Sequence, residues 1–94
     1  MAATFTAQMS RRAATGRWRL YVVLLNTWVA WPERDLGGGT VVPTVQERSR
    51  ALNALGYALT DGARWEWTED SETPDDPSSA VLLIASVTVR EAAG

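Results

Sequence analysis

One segment of this chain has the hydrophobic spacing of a helix, and four have the two-residue alternation of β-strands. The alternating segments are 3–9, 17–25, 64–68 and 80–91. The helical segment lies between Pro43 and Gly56, so the order of elements is β-β-α-β-β. Two hairpins joined through a helix most simply form a single sheet. The sequence therefore predicts one α+β domain over residues 1–94, with a four-stranded antiparallel sheet and one helix on one face.

The helix has start and stop signals but is too short to cover both faces of such a sheet. Thr44 followed by Glu47 is a capping box, and Gly56 stands where a left-handed residue ends a helix. Val45, Ala51, Leu52 and Leu55 form the apolar stripe that we expect to face the sheet. The opposite sheet face still carries apolar residues, and the long connection or another chain must cover them. Those residues are drawn from Tyr21, Val23, Leu25, Leu82 and Ile84.

The connection "NTWVAWPERDLGGG" over residues 26–39 holds two tryptophans followed by three glycines. The favoured interpretation is that Trp28 and Trp31 fold back over the open face, while the glycines turn the chain toward the helix. The alternative is that both are exposed anchors of a protein interface, where tryptophan is enriched. The candidate interaction surface is Trp28, Trp31, Tyr21 and Val23. The glycines lack the lysine and the spacing of a phosphate-binding loop.

The composition excludes several chemistries. The chain has no cysteine, histidine or lysine, which removes thiol nucleophiles, thiolate metal sites and the commonest general base. We therefore expect no enzyme activity, no cofactor and no metal site. No apolar run approaches the roughly 20 residues that a membrane helix needs, and the N-terminal residues do not form a signal peptide. The expected location is the cytoplasm.

Charges are segregated along the chain. Residues 1–32 carry four arginines and no acid, whereas residues 61–76 carry seven acids and one arginine. The candidate charged patches are Arg11, Arg12, Arg17, Arg19, Asp70, Glu72, Asp75 and Asp76. Nucleic-acid binding by the arginines, with Trp18 for stacking, is disfavoured because the net charge is −2. The acidic run lacks calcium-loop spacing and predicts a solvated loop, or an acidic face that mimics nucleic acid.

Trp65 and Trp67 alternate with polar residues, which predicts a strand with both indoles on one face. The favoured role for the pair is packing in the core. The alternative is an aromatic groove that binds a small molecule.

Several stretches together resemble a known family. They are "GRWRLYVVLL", "WPE", "VPT" followed by "ERSRALNALGY", "DGARWEWTEDSETPDDPSS" and "AVLLIASVTVRE". This pattern, over most of the chain, resembles a family of short actinobacterial proteins of unknown function. The resemblance implies no activity and transfers no catalytic residue.

These observations predict a non-catalytic protein-interaction module whose partner is another protein or a second copy of itself. Self-association as a homodimer would use the sheet face that the helix leaves open. One alternative is a nucleic-acid-associated or nucleic-acid-mimicking protein of a mobile element. A second alternative is a small-molecule binder.

Overall fold

The computed structural model of this chain describes residues 3–12, 15–25 and 28–92. Within these residues the chain forms six strands and one helix. The elements are β1 (Thr4–Arg12), β2 (Arg17–Val23), β3 (Glu33–Gly38), α1 (Val45–Ala54), β4 (Tyr57–Leu59), β5 (Glu66–Ser71) and β6 (Val81–Glu91).

All strand pairs are antiparallel, and the spatial order is β3-β2-β1-β6, followed by an edge that β4 and β5 share. β4 pairs with residues 89–91 of β6, and β5 pairs with residues 81–86 of the same strand. The sheet curls into half a barrel, and α1 packs inside the curve against β4 and β2. The fold is α+β as expected, and both hairpins, β1–β2 and β5–β6, are present.

The prediction of four strands is wrong, because β3 and β4 lie in segments that it treats as connections. β3 has the sequence "ERDLGG", which has no apolar alternation and contains two glycines. It pairs with the backbone of β2, and the β-branched and aromatic residues that usually mark a strand are not needed for that ladder. β4 has only three residues and directly follows the helix.

The concave face of the sheet forms the core. The register places Met9 between Leu20 and Ala85, and Ala7 between Val22 and Val87, so one set of alternating side chains from three strands is buried together. Ala51 and Leu52 of α1 and Tyr57 of β4 close this core. The buried residues of β1, β2 and β6 are Ala7, Met9, Trp18, Leu20, Val22, Ala85, Val87 and Val89.

The helix confirms the predicted capping signals and corrects the predicted stripe. The amide of Glu47 donates to the Thr44 hydroxyl at 3.1 Å, and the amide of Thr44 donates to the Glu47 carboxylate at 3.2 Å. Gly56 has a φ of 91°, as a left-handed helix end requires. Val45 was expected to face the sheet, but it is exposed, and Arg48 is buried in its place.

Candidate functional site

The predicted interaction surface lies where β2 leads into β3. β2 was expected to run to Leu25, but it ends at Val23, and Leu25 is exposed. The chain then returns beside β2, because the amide of Val22 donates to the carbonyl of Pro32 at 3.0 Å. We call the apolar residues of this region the aromatic surface. They are Tyr21, Val23, Leu25, Trp28, Val29 and Trp31.

Trp31 folds back onto the sheet, as the favoured interpretation required. Its ring stacks on Tyr21 with 6.1 Å between centroids and 19° between planes, and its indole N–H donates to the carbonyl of Leu24 at 2.7 Å. Tyr21 is held in turn by donating its hydroxyl to Gln8 at 2.9 Å. The Arg19 guanidinium lies 5.3 Å from the Tyr21 centroid. A cation and two rings therefore form an ordered column on the convex face.

Trp28 does not cover the sheet, so the favoured interpretation is wrong for this residue. Its side chain is fully exposed, and its neighbour Val29 is also exposed. The reason is the position at which the chain rejoins the sheet. Pro32 accepts the hydrogen bond that returns the chain to β2, so Trp31 is held next to the sheet, whereas Trp28 lies four residues before Pro32.

The arginines predicted as one basic patch are divided between two faces. Arg17 Nε lies 2.6 Å from a carboxylate oxygen of Asp35, and Arg19 Nε lies 3.6 Å from one of Glu33. The hydrogen bond from Arg17 and a second one from the amide of Gly37 lower the pKa of Asp35, and the same ion pair raises the pKa of Arg17. Arg11 instead lies on the concave face, and the side chain of Arg12 is outside the described part of the structure. The arginines of β2 thus meet the acids of β3, a strand that the sequence pattern does not predict.

The predicted acidic patch lies on β5 and the loop that follows it. Asp70 accepts from the amide of Ser71, and Asp76 accepts from both the amide and the hydroxyl of Ser78. These two bonds from Ser78 lower the pKa of Asp76 and show that this residue shapes the loop. Glu72 and Asp75 belong to the same loop. In the described residues no acid of this run forms a salt bridge, and no three acids are placed to hold a metal ion.

Trp65 and Trp67 enclose an arginine. The guanidinium of Arg48 lies 4.9 Å from the Trp65 centroid and 5.9 Å from that of Trp67, and its Nε donates to the carbonyl of Pro43 at 2.9 Å. Arg48 is only 7% exposed, and this burial lowers its pKa. Trp65 packs against the core, as favoured, whereas Trp67 keeps 43% of its surface in solvent.

Sequence reasoning missed a cavity at the end of the concave face that the helix does not reach. We call it the trough. Its volume is about 260 Å³, and it is lined by Arg11, Trp18, Thr40, Val42, Val81 and Leu83. The signal was available in the alternation of β1. Phe5, Ala7 and Met9 share the apolar face, and continuing the strand by two residues places Arg11 on that face.

The chain belongs to a family of unknown function, DUF6303, whose model matches residues 3–94. This confirms the resemblance to a family without an assigned activity, whereas the actinobacterial origin stays a prediction. The chain finds no match among curated proteins and none among solved structures. Among the described residues, no helix is long and apolar enough to cross a membrane.

Proposed function

Because the family has no assigned activity, we propose from the geometry that this chain is a non-catalytic protein-interaction module that binds through the aromatic surface. The observation that carries the proposal is the full exposure of Trp28 beside an ordered Tyr21–Trp31 stack. Tryptophan, tyrosine and arginine are the residues most enriched at the energetic centres of interfaces. Large apolar side chains clustered in one connection are also the usual mark of a surface that becomes buried in a complex.

The ordered column lowers the entropy cost of binding. Trp31 is fixed by stacking and by its hydrogen bond to Leu24, so its rotamer does not have to be selected when a partner arrives. Trp28 then supplies the anchor that enters a partner.

A second copy of the chain is the occupant we propose. In a two-fold dimer the same patch contacts itself, so each protomer contributes the same apolar side chains. Large aromatic side chains bury about 150–250 Å² each, so the aromatic surface would bury on the order of 1,000 Å² in total from both protomers. This area lies near the lower limit for specific interfaces, so we expect a weak dimer with a Kd of roughly micromolar or above.

Sedimentation velocity over a concentration series tests this proposal. We expect the wild-type chain to shift from monomer toward dimer as its concentration rises, and Trp28→Ser to weaken association about tenfold or more. The control is Trp67→Ser, since Trp67 is an exposed tryptophan on the other face. A wild-type chain that stays monomeric to several hundred micromolar would contradict self-association. Equal weakening by both substitutions would contradict the assignment to this surface.

The acidic run supports a second candidate function, in which the chain mimics nucleic acid and docks on a basic partner. Among the described residues, none of its carboxylates is neutralised by an arginine, whereas Arg17 and Arg19 are each paired with an acid. This distribution of charges favours docking of the acidic run on a basic partner over direct nucleic-acid binding by the arginines. The carboxylates are Glu66, Glu69, Asp70, Glu72, Asp75 and Asp76.

The test for this candidate is capture from a nuclease-treated host extract at two salt concentrations. Neutralisation is best made at Glu66, Glu69 and Asp75, because Asp76 is needed to hold the loop. We expect the triple variant E66Q/E69Q/D75N to lose a partner that the wild type releases at higher salt, and Trp28→Ser to retain it. Equal capture of the partner by the wild type and by the triple variant would contradict this candidate.

A further inference from the structure

We propose that the trough binds a small apolar carboxylate, whose head group pairs with Arg11 and whose body lies between Val42 and Leu83. This site goes beyond the proposed function, since it lies on the opposite face of the sheet from the Tyr21–Trp31 stack. The observation behind it is that the guanidinium of Arg11 is held in one position next to apolar side chains.

The guanidinium of Arg11 is held in one orientation. Its Nε donates to the carbonyl of Gly39 at 3.0 Å, which occupies one of its donors. Its tip lies against Gly16, where an added β-carbon would stand 3.3 Å from Nη2. Within the described residues, no carboxylate lies within 4 Å of Arg11, and no acceptor takes a hydrogen bond from its terminal nitrogens. A planar pair of such donors matches the two oxygens of a carboxylate.

Apolar side chains flank this cation on both sides. Arg11 is opposite Trp18 in the β1–β2 ladder, and continuing the β1–β6 register places it opposite Leu83. Trp18 is buried, and Leu83 is 47% exposed. An ion pair formed between such walls is screened less by water than one on an open surface.

The loop after β3 forms the remaining wall and is anchored near the head-group position. The carbonyl of Gly39 accepts from both Arg11 Nε and the Trp18 indole, the latter at 3.2 Å, and its amide donates to Gly16 at 3.3 Å. These three bonds hold the start of the loop that carries Thr40 and Val42. The wall is therefore preformed, and binding does not require it to be ordered.

The size and charge of the trough restrict the ligand. Its volume of about 260 Å³ lies just below the roughly 300–1,000 Å³ of drug-sized pockets, so the ligand has one or two rings or a short branched chain. Glu69 pairs with Leu83 across the β5–β6 ladder and shares its face. β5 lies on the side of Leu83 away from Arg11, so a second carboxylate at the far end of the ligand would point toward this acid, which favours a monocarboxylate.

Titration of the ¹⁵N-labelled chain with 1-naphthylacetate, followed by the indole N–H signals in NMR spectra, tests the site. The Trp18 indole reports directly, because it donates to the same carbonyl as Arg11. We expect its signal to shift with saturation while the Trp28 signal stays in place. The neutral amide 1-naphthylacetamide should bind about tenfold more weakly or worse, because it cannot form the ion pair.

Variants separate the ion pair from general apolar binding. Arg11→Gln should weaken the acid about tenfold or more and remove the preference for acid over amide. Val42→Glu adds a negative charge on an exposed part of the wall and should weaken the acid without disturbing the core. The control Glu69→Gln removes a carboxylate from the same face and should leave acid binding unchanged or stronger.

Three results would overturn the site. They are the absence of any Trp18 shift at millimolar acid, equal affinity for acid and amide in the wild type, and a saturable shift confined to Trp28. Because the Trp28→Ser variant keeps the trough, it should bind the acid normally. Failure of the site and failure of self-association are therefore read from different signals.

Discussion

At the scale of single residues, two arginines lie in surroundings that their residue type alone does not predict. Arg48 stands on the helix face that periodicity assigns to apolar residues, and it is buried because two indoles and a carbonyl enclose it. Arg11 is similar, since its charge suggested a solvated hairpin while its position in β1 places it on the concave face. Residue type alone favours solvent exposure for both, whereas their positions in α1 and β1 place them on the core side of the sheet.

Replacement of Arg48 by alanine should destabilise the fold by about 2–4 kcal/mol. The change removes a charge-assisted hydrogen bond to Pro43, stacking on Trp65 and the packing of the alkyl stem. Arg48→Met should recover part of the loss, because it restores the stem. Urea unfolding measures the difference, with Arg50→Ala as the control at an exposed position of the same helix. Similar losses of unfolding free energy for Arg48→Ala and Arg50→Ala would show that the contacts of Arg48 with the indoles and with Pro43 contribute nothing to stability.

The Arg17–Asp35 pair should make part of the stability depend on acid. The hydrogen bond from Arg17 lowers the pKa of Asp35 in the folded state below the ordinary value of about 3.9 in the unfolded chain. The contribution of the pair is therefore fully present above about pH 4, and it is lost as the pH falls through the lowered pKa.

Carboxyl ¹³C shifts followed by NMR from neutral pH to pH 2 measure this titration. We expect Arg17→Gln to move the pKa of Asp35 upward, toward the ordinary value. Asp76 is the internal control, because its pKa is lowered by Ser78 and should not respond to the substitution. An Asp35 pKa that is the same in both proteins would show that Arg17 is not its partner in solution.

At the scale of secondary-structure elements, the sequence predicted those features that depend on residues close together in the chain. The capping box, the left-handed Gly56 and the two hairpins follow from residues close together in the chain, and all are present. β3 and the edge shared by β4 and β5 form by pairing with backbone that is distant in the sequence. Such pairing requires no hydrophobic alternation, and "ERDLGG" has none. The aromatic surface could be named from composition, but the stacking on Tyr21 and the hydrogen bond to Leu24 that distinguish Trp31 from Trp28 could not. The trough required the register of β1, β2 and β6 together.

Substitution of Gly56 by alanine should destabilise the chain by about 1–2 kcal/mol. Gly56 has a φ of 91°, and an added β-carbon would meet nothing within 4 Å, so the penalty is conformational and not steric contact with neighbours. Gly38→Ala is the matched control, since Gly38 has no positive φ and its nearest neighbour would be at an ordinary 3.6 Å. Thermal unfolding compares the two variants. A Gly56→Ala loss no larger than that of Gly38→Ala would show that the backbone relaxes.

At the scale of the whole molecule, the order of the sheet sets which parts open first. β1 lies between β2 and β6, and every residue of β6 is paired with at least one other strand, residues 84–86 and 89–90 on both sides. Among the described residues, β3 and β5 each pair on one side only, and the residues of β5 are almost all exposed. Stability should therefore fall from the centre of the sheet toward both edges.

Native-state amide hydrogen exchange should show this gradient. We expect the slowest exchange at hydrogen-bonded amides of Ala7, Met9 and Val87, and exchange faster by at least an order of magnitude in β5. Comparison at constant pH and temperature, corrected for intrinsic rates, measures the difference. Protection in β5 equal to that in β1 would mean that the edge opens only with the whole domain.

The sheet edge that β4 and β5 share also predicts where the chain tolerates a change of length. β4 fixes its register on one end of β6 and β5 fixes its register on the other, so the turn at residues 61–62 joins two pairings that are each set elsewhere. Residues added near Gly62, which has no neighbour within 4 Å of an added β-carbon, would lengthen this turn without moving either ladder. We therefore expect this turn to accept an inserted peptide tag and the β1–β2 turn to reject one, since Gly16 there contacts the loop after β3.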